Sequence, residues 1–180
     1  MKGKPVKDAC FAVWPTAWGP MGAAAGEGGL LRVILPGYQM KDLVDLLAWE
    51  HPAARRDETP FQPLIELARR YFNAAGAVDF KTVACELPAA GSLAGMVYRA
   101  CREIPYGQTI SYSSLATRIG RPDAARAVAA ALGRNPLPLV VPCHRVVYAD
   151  GRAGGFSAPG GQALKQRMLE LEAGIRGAQG

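Results

Sequence analysis

Hydrophobic and polar positions along the chain change period several times, and each change marks an element. Cys10-Phe11-Ala12-Val13-Trp14 and Leu30-Leu31-Arg32-Val33-Ile34-Leu35 are short runs rich in β-branched and aromatic residues, so both predict strands. Gly26, Gly28 and Gly29 supply a turn between them. Residues 78–83, Val-Asp-Phe-Lys-Thr-Val, alternate with period two and predict a third strand. Two helices fall between these runs, at about 42–49 and 61–73. The second carries Leu64, Leu67, Ala68, Tyr71 and Phe72 on one stripe and meets a stop signal at Gly76. His51 precedes Pro52 in a polar loop and is expected to be solvated.

Leu87-Pro88-Ala89-Ala90-Gly91 has linker composition and separates residues 1–87 from 92–180. Ser92 is placed to cap a helix whose core face is Leu93, Met96, Val97, Ala100, Cys101 and Ile104. Cys101 on that face reads as packing, and Pro105 and Gly107 end the helix. Ser111 is a good N-cap for a helix stopping at Gly120, Arg121-Pro122-Asp123 makes a turn, and residues 124–133 form a second helix. Helix, turn and helix in this order predict a helix-turn-helix. The second helix is nearly all alanine apart from Arg126. Taken alone it is a strong helix former, yet its small side chains also let its backbone approach another surface.

Asn135-Pro136-Leu137-Pro138 leads into the most unusual stretch of the chain, residues 140–147. Val140-Val141-Pro142 is apolar, Cys143-His144-Arg145 is polar, and Val146-Val147 is apolar again. Apolar flanks place the triplet at the edge of a core, a costly position for three polar groups without a task. Asp150-Gly151 predicts a hairpin or wing after it. Residues 154–161 are a glycine-rich loop, followed by a last helix at 162–173 with Leu164, Met168 and Leu171 inward and Glu172 near its end. Residues beyond Gly174 are expected to fray.

The composition, 49% hydrophobic and 20% charged over 180 residues, suits one or two globular domains of mixed α/β (α+β) class. The first is expected to hold a small antiparallel sheet. The second is expected to be mostly helical, with a winged helix-turn-helix. No apolar run approaches the roughly 18 residues of a membrane span. Met1–Asp8 is charged and no apolar stretch follows it, so no secretory signal is expected, and the thiols are expected to be reduced in a cytoplasmic setting. Cys10, Cys85, Cys101 and Cys143 form no CxxC pair, and with only His51 and His144 besides, no metal site is expected. Residues 1–87 are charge-balanced, with ten basic and ten acidic side chains. Residues 88–180 hold eleven basic against five acidic, which is the whole net charge of +6. A basic half fits a phosphate-bearing partner, or merely an arginine-favouring coding sequence.

A cysteine attacks as its thiolate, and its ordinary pKa of about 8.5 calls for help from a base. His144 is adjacent, but in an extended segment neighbours face opposite ways, so a bridging water or a turn at Pro142-Cys143 is required. The histidine needs a partner to fix its tautomer, and Glu172 is the best-placed carboxylate in this half. Thiol, water, histidine and carboxylate would form a triad with one extra link. From spacing alone, inert packing of the pair stays open.

These residues resemble the O6-alkylguanine-DNA alkyltransferases, the methylated-DNA–protein-cysteine methyltransferases. The likeness is carried by Asn135-Pro136, Pro142-Cys143-His144-Arg145-Val146-Val147, the glycine loop, Lys165 and Glu172. Ile104-Pro105-Tyr106-Gly107-Gln108-Thr109-Ile110-Ser111-Tyr112 and Ala124-Ala125-Arg126-Ala127-Val128 match as well. It is dense over residues 92–173 and thin before, where Trp18-Gly19-Pro20 with its following turn and strand is similar. The resemblance implies a ribonuclease-H-like N-terminal domain and a C-terminal alkyltransferase domain. Cys143 would accept the alkyl group, activated by His144 and Glu172, with Asn135 holding the turn. Tyr112 would donate to the departing guanine and push the phosphate backbone. Arg126 would fill the gap left by a flipped nucleotide, and Ser113, Arg121 and Ala125 would lie against DNA in the minor groove. Val146, Gly154, Gly155, Ser157 and Lys165 would line the base pocket. The chain would act as a monomer on double-stranded DNA carrying O6-alkylguanine, with no cofactor and no membrane. It would be associated with the nucleoid if bacterial. Phe156 stands where the family commonly has tyrosine, in a slightly longer loop. The zinc cluster of some animal members has no counterpart.

Overall fold

A computed structural model describes residues 9–177, with side chains through Gly174 at the end of the last helix. The expectations for Met1–Asp8 and for residues 178–180 lie outside the described residues. The chain divides at Glu86–Leu87 into two compact units.

The first unit is a four-stranded sheet in the order β3-β2-β1-β4. β1 (Cys10–Thr16), β2 (Gly19–Gly26) and β3 (Gly29–Ile34) are successive antiparallel neighbours, and the short β4 (Arg55–Arg56) joins β1 in parallel. Phe11 and Val13 of β1 pack with Ala24 and Ile34 against Leu43 and Leu47 of α1 (Met40–Glu50). On the opposite face of β1, Trp14 meets Phe61, which leads into α2 (Gln62–Phe72), at 6.5 Å between ring centroids. Residues 19–26 were not expected as a strand because they are glycine, proline, methionine and alanine. The reason for that composition is contact: a Cβ on Gly22 would stand 2.8 Å from Leu47 Cδ1. β2 is a central strand with α1 pressed against it, and small side chains permit the approach. The glycine turn therefore joins β2 to β3, not β1 to β3.

Residues 78–83 do not form the expected strand. Val78 and Phe80 are buried while Asp79 and Lys81 are exposed, so the alternation holds over four residues and stops at exposed Thr82. The backbone nevertheless turns: Lys81 N donates to Asp79 Oδ1 at 2.9 Å and Val83 N to Phe80 O at 3.1 Å. Asp79 offers its own backbone a local partner, and that wins over pairing with a distant strand. The chain reaches the sheet only at Cys85, bridged to Leu30. His51 is half-buried rather than solvated, and its N–H closes α1 by donating to Leu47 O at 2.9 Å.

The second unit holds α3 (Leu93–Arg102), α4 (Tyr112–Arg118), α5 (Ala125–Leu132) and α6 (Gly161–Gly177). Ser92 and Ser111 cap α3 and α4 by accepting from Gly95 N and Ser114 N, each at 3.0 Å. α4, a 3-10 turn at Pro122–Ala124 and α5 form the helix-turn-helix, and α3 packs against α4 and α5. Cys101 is fully buried in this core. Of the hairpin or wing expected after the triplet, the described residues form only a tight turn, with no paired strand beyond it. β6 (Val146–Val147) pairs in parallel with β5 (Ile110–Ser111). Tyr148 N donates to Arg152 O at 2.9 Å across the Asp150-Gly151 turn, but no strand follows among the described residues. α6 continues to Gly177, past the expected end.

Candidate active site

Residues 137–142, from Leu137 to Pro142, are all buried and irregular, and Leu139 takes a left-handed φ of 71°. Such backbone costs on the order of 1–3 kcal/mol and persists where surrounding contacts over-determine it. Asn135 is that contact. Its Oδ1 accepts from Leu137 N at 3.0 Å, and its Nδ2 donates to Val141 O at 2.8 Å and to Cys143 Sγ at 3.1 Å. One side-chain amide thus holds both ends of the loop and touches the sulfur.

Cys143–Arg145 then form a single 3-10 turn, closed by Arg145 N donating to Pro142 O at 2.9 Å. With about three residues per turn, successive side chains fan out rather than alternate. This resolves the geometry that an extended segment would forbid. His144 is wholly buried, and its Nε2 lies 2.8 Å from Glu172 Oε1. Arg145 completes the fan: Nε donates to Glu172 Oε2 at 2.9 Å, Nη2 to Oε1 at 3.1 Å and Nη1 to Ile104 O at 2.7 Å. Gly107 N also donates to Glu172 Oε2 at 2.9 Å. Glu172, 1% exposed, is therefore the hub that α6 carries into the site. Sequence reasoning left Arg145 without a role. The available signal was its place in the buried polar triplet, where a cation demands a carboxylate.

On the other side, Lys165 of α6 is 1% exposed and donates to Val146 O at 2.6 Å. Its Nζ is 3.4 Å from the Tyr112 hydroxyl. The Tyr112 ring leans on Tyr148, with centroids 5.5 Å apart. Gly154 is buried against Tyr112, where an added Cβ would sit 2.4 Å from the hydroxyl. Asn135, His144, Glu172, Tyr112, Lys165, Val146 and Gly154 are thus gathered around the turn that carries Cys143. Gly155 and Ser157 are exposed on the loop beyond. Arg126, Arg121 and Ser113 are exposed on the helix-turn-helix, and Ala125 is half-buried there.

Burial pushes the Cys143 thiol up, and the Asn135 bond, the Lys165 charge and backbone N–H groups oppose that shift. Burial pushes His144 down, against the pull of Glu172, so it rests as a neutral imidazole at neutral pH. Burial would raise the Glu172 carboxyl, but His144 and Arg145 bring it down to about 2. A neutral histidine that donates Nε2–H to an ionised carboxylate keeps Nδ1 as its basic nitrogen. Burial raises Tyr112 to about 12, so its phenol is a donor. Among the described residues no cluster of three His, Cys, Asp or Glu side chains could hold a metal. No helix among them is long and apolar enough to cross a membrane.

A helix-turn-helix joined to a buried thiol, with a histidine–carboxylate pair on the same turn, defines a class: DNA-directed proteins whose own cysteine takes part in the chemistry. Residues 92–174 match the family model of the 6-O-methylguanine DNA methyltransferase DNA-binding domain. The methylated-DNA–protein-cysteine methyltransferase of Methanosarcina acetivorans is 33% identical over 164 residues, covering 90% of this chain and 97% of that protein. The one from Mycolicibacterium paratuberculosis is 53% identical over 76 residues, 42% of this chain and 45% of that protein. Mycobacterium tuberculosis OGT in complex with DNA superposes with a TM-score of 0.74 at 31% identity, covering 92% of this chain and 93% of that one. The chain belongs to the methylated-DNA–protein-cysteine methyltransferase family.

Proposed function

We propose that this chain repairs DNA by taking the alkyl group from O6 of guanine onto Cys143, once per molecule. The observation that carries it is the single turn holding a buried sulfur, bonded by Asn135, next to a neutral histidine backed by ionised Glu172. In the reaction the Cys143 thiol gives its proton, through one water, to His144. The resulting imidazolium is stabilised by Glu172. The thiolate attacks the saturated carbon, an S–C bond forms, and the C–O6 bond breaks. Its electron pair goes to the purine, and Tyr112, supported by Lys165, supplies a hydrogen bond or proton to the leaving base. The thioether offers no leaving group that water or a protein base can readily displace, so the protein is spent.

O6 is inside the duplex, so the base must leave the stack. The alanine-rich α5 suits close approach to the minor groove, and exposed Arg126 fills the gap. Arg121, Ser113 and Ala125 lie along the same helix-turn-helix and contact the backbone. Cys143 is 6% exposed, so entry of the base requires the residues around it to give way. The Val146 carbonyl, engaged by Lys165, faces the base edge. The protein acts as a monomer and without a cofactor, in the cytoplasm, at the nucleoid if its source is bacterial.

Intact mass after incubation with duplex DNA bearing O6-methylguanine tests this. A gain of about 14 Da, one methyl replacing one proton, is expected on Cys143 and absent in Cys143→Ala. Retention of the damaged DNA with no gain in mass would reduce the protein to a damage-binding module.

A further inference from the structure

α5 is eight residues long, too short to hold a direction on its own, so its ends are set by their contacts. Its N-terminal end presents Arg126. At its C-terminal end, the Leu132 carbonyl accepts from Asn135 N at 3.1 Å, and Asn135 is the residue bonded to Cys143 Sγ. The neighbouring Ala131 carbonyl accepts from Arg134 N at 3.1 Å and also from the hydroxyl of Tyr98, at 3.0 Å, across from α3. Tyr98 is 4% exposed. Its bond is a long-range tie between α3 and the last turn of the helix that faces DNA. Burial, and then the charge of the Cys143 thiolate, push its phenol up, so it remains a donor when the sulfur ionises.

We infer that Tyr98 is a positioning residue for transfer from duplex DNA: its hydroxyl fixes the C-terminal end of α5 beside the Asn135–Cys143 contact, keeping Arg126 and the acceptor sulfur in one register. This rests on the alkyl-transfer reading above. The hydroxyl donates to the Ala131 carbonyl rather than to the sulfur, so it acts through α5. Arg126 lies five residues from Ala131, roughly 7.5 Å along the helix axis. A small swing at the tied end therefore reaches the extruded nucleotide, and misplacement on the order of 1 Å is enough to slow a reaction substantially. A free base needs no insertion by Arg126, and the sulfur it meets stays held by the Asn135 side chain, whose bonds to Leu137, Val141 and Cys143 lie outside α5, so it does not feel the swing.

The test compares rates of reaction with O6-methylguanine duplex DNA and with free O6-benzylguanine, in wild type, Tyr98→Phe and Val97→Ala. Val97 is a buried neighbour on α3, and its truncation lowers the melting temperature without removing the hydroxyl. Tyr98→Phe is expected to lose roughly fivefold or more on duplex DNA and less than about twofold on the free base, whereas Val97→Ala changes both alike. Equal losses on both substrates in Tyr98→Phe, or a duplex rate within about twofold of wild type, would overturn the inference. So would failure of Tyr98→Phe to fold, since the hydroxyl would then serve the fold first. Wild-type protein that gains no mass at all would instead sink the alkyl-transfer reading.

Discussion

Glu172→Gln is the change with the largest consequence that can be worked from the structure. The carboxylate is buried and receives Arg145 Nε and Nη2, Gly107 N and the His144 ring nitrogen within 3.1 Å. Its pKa falls from an ordinary 4.5 to about 2. At about 1.4 kcal/mol per unit, the folded state favours the ionised form by about 3 kcal/mol. Because the folded value lies below the unfolded one, the unfolded chain binds more protons between them. The contribution is complete above pH 4.5 and disappears as the pH falls through 2. Glutamine keeps the shape but strands the Arg145 guanidinium in the interior, and removing one partner of a buried pair costs about 3–5 kcal/mol. Urea unfolding at pH 7 should therefore show Glu172→Gln less stable by about 3 kcal/mol or more. The difference from wild type should shrink as the solution is acidified from pH 5 towards 2. Subtracting the variant's curve removes other depressed carboxylates, such as Asp57 and Asp150, that titrate in the same range. A second substitution, Arg145→Met in the Glu172→Gln background, should restore part of the stability and none of the reaction rate. A difference below about 1 kcal/mol at pH 7, or one indifferent to acid, would refute the hub role given to Glu172.

Three further changes separate the parts of the site. Asn135→Ala removes a donor from the sulfur, so the thiol rises further and the pH at which reaction with a free base accelerates moves upward; an unmoved pH–rate profile would contradict this. Gly154→Ala drives a methyl into the Tyr112 hydroxyl and should slow transfer by roughly tenfold or more, followed as the rate of mass gain; a wild-type rate would mean the loop yields freely. Arg126→Ala should impair repair of duplex DNA more than reaction with free O6-benzylguanine, and equal losses would count against insertion into the duplex.

Local signals were legible where they decided structure locally. Ser92 and Ser111 cap the helices they were expected to cap, because an N-cap bond reaches only three residues along the chain. The period-two pattern marked which side chains are buried over residues 78–81 but not beyond, and it failed on pairing, which depends on a partner strand distant in sequence. β2 was missed for a related reason. Its alanines and Gly22 answer the close approach of Leu47, and no residue within the strand itself signals that approach. In the site, the residues of the turn and the carboxylate on α6 were nameable from the sequence. The place of Arg145 was not, since Ile104 and Glu172, which it bridges, lie 41 and 27 residues away. The half-buried state of His51 was also hidden, as it depends on how α1 ends against its surroundings.

Burial, helped by Arg145, explains how a base can rest uncharged beside a carboxylate. An ionised Glu172 alone would stabilise imidazolium and leave His144 already protonated at neutral pH, unable to take the proton from Cys143. Burial works against that, and the positive charges of Arg145 and Lys165 add to it, so the net shift of His144 is downward. Arg145 also neutralises the carboxylate while the imidazole is neutral, sparing the fold a lone buried anion. When the proton arrives, the imidazolium meets a carboxylate already oriented by three other donors, with no reorganisation required. The same bonds that hold α6 to the turn therefore set the charge state from which transfer begins, which is why stability and reactivity are expected to fail together at Glu172 and to separate at Arg126.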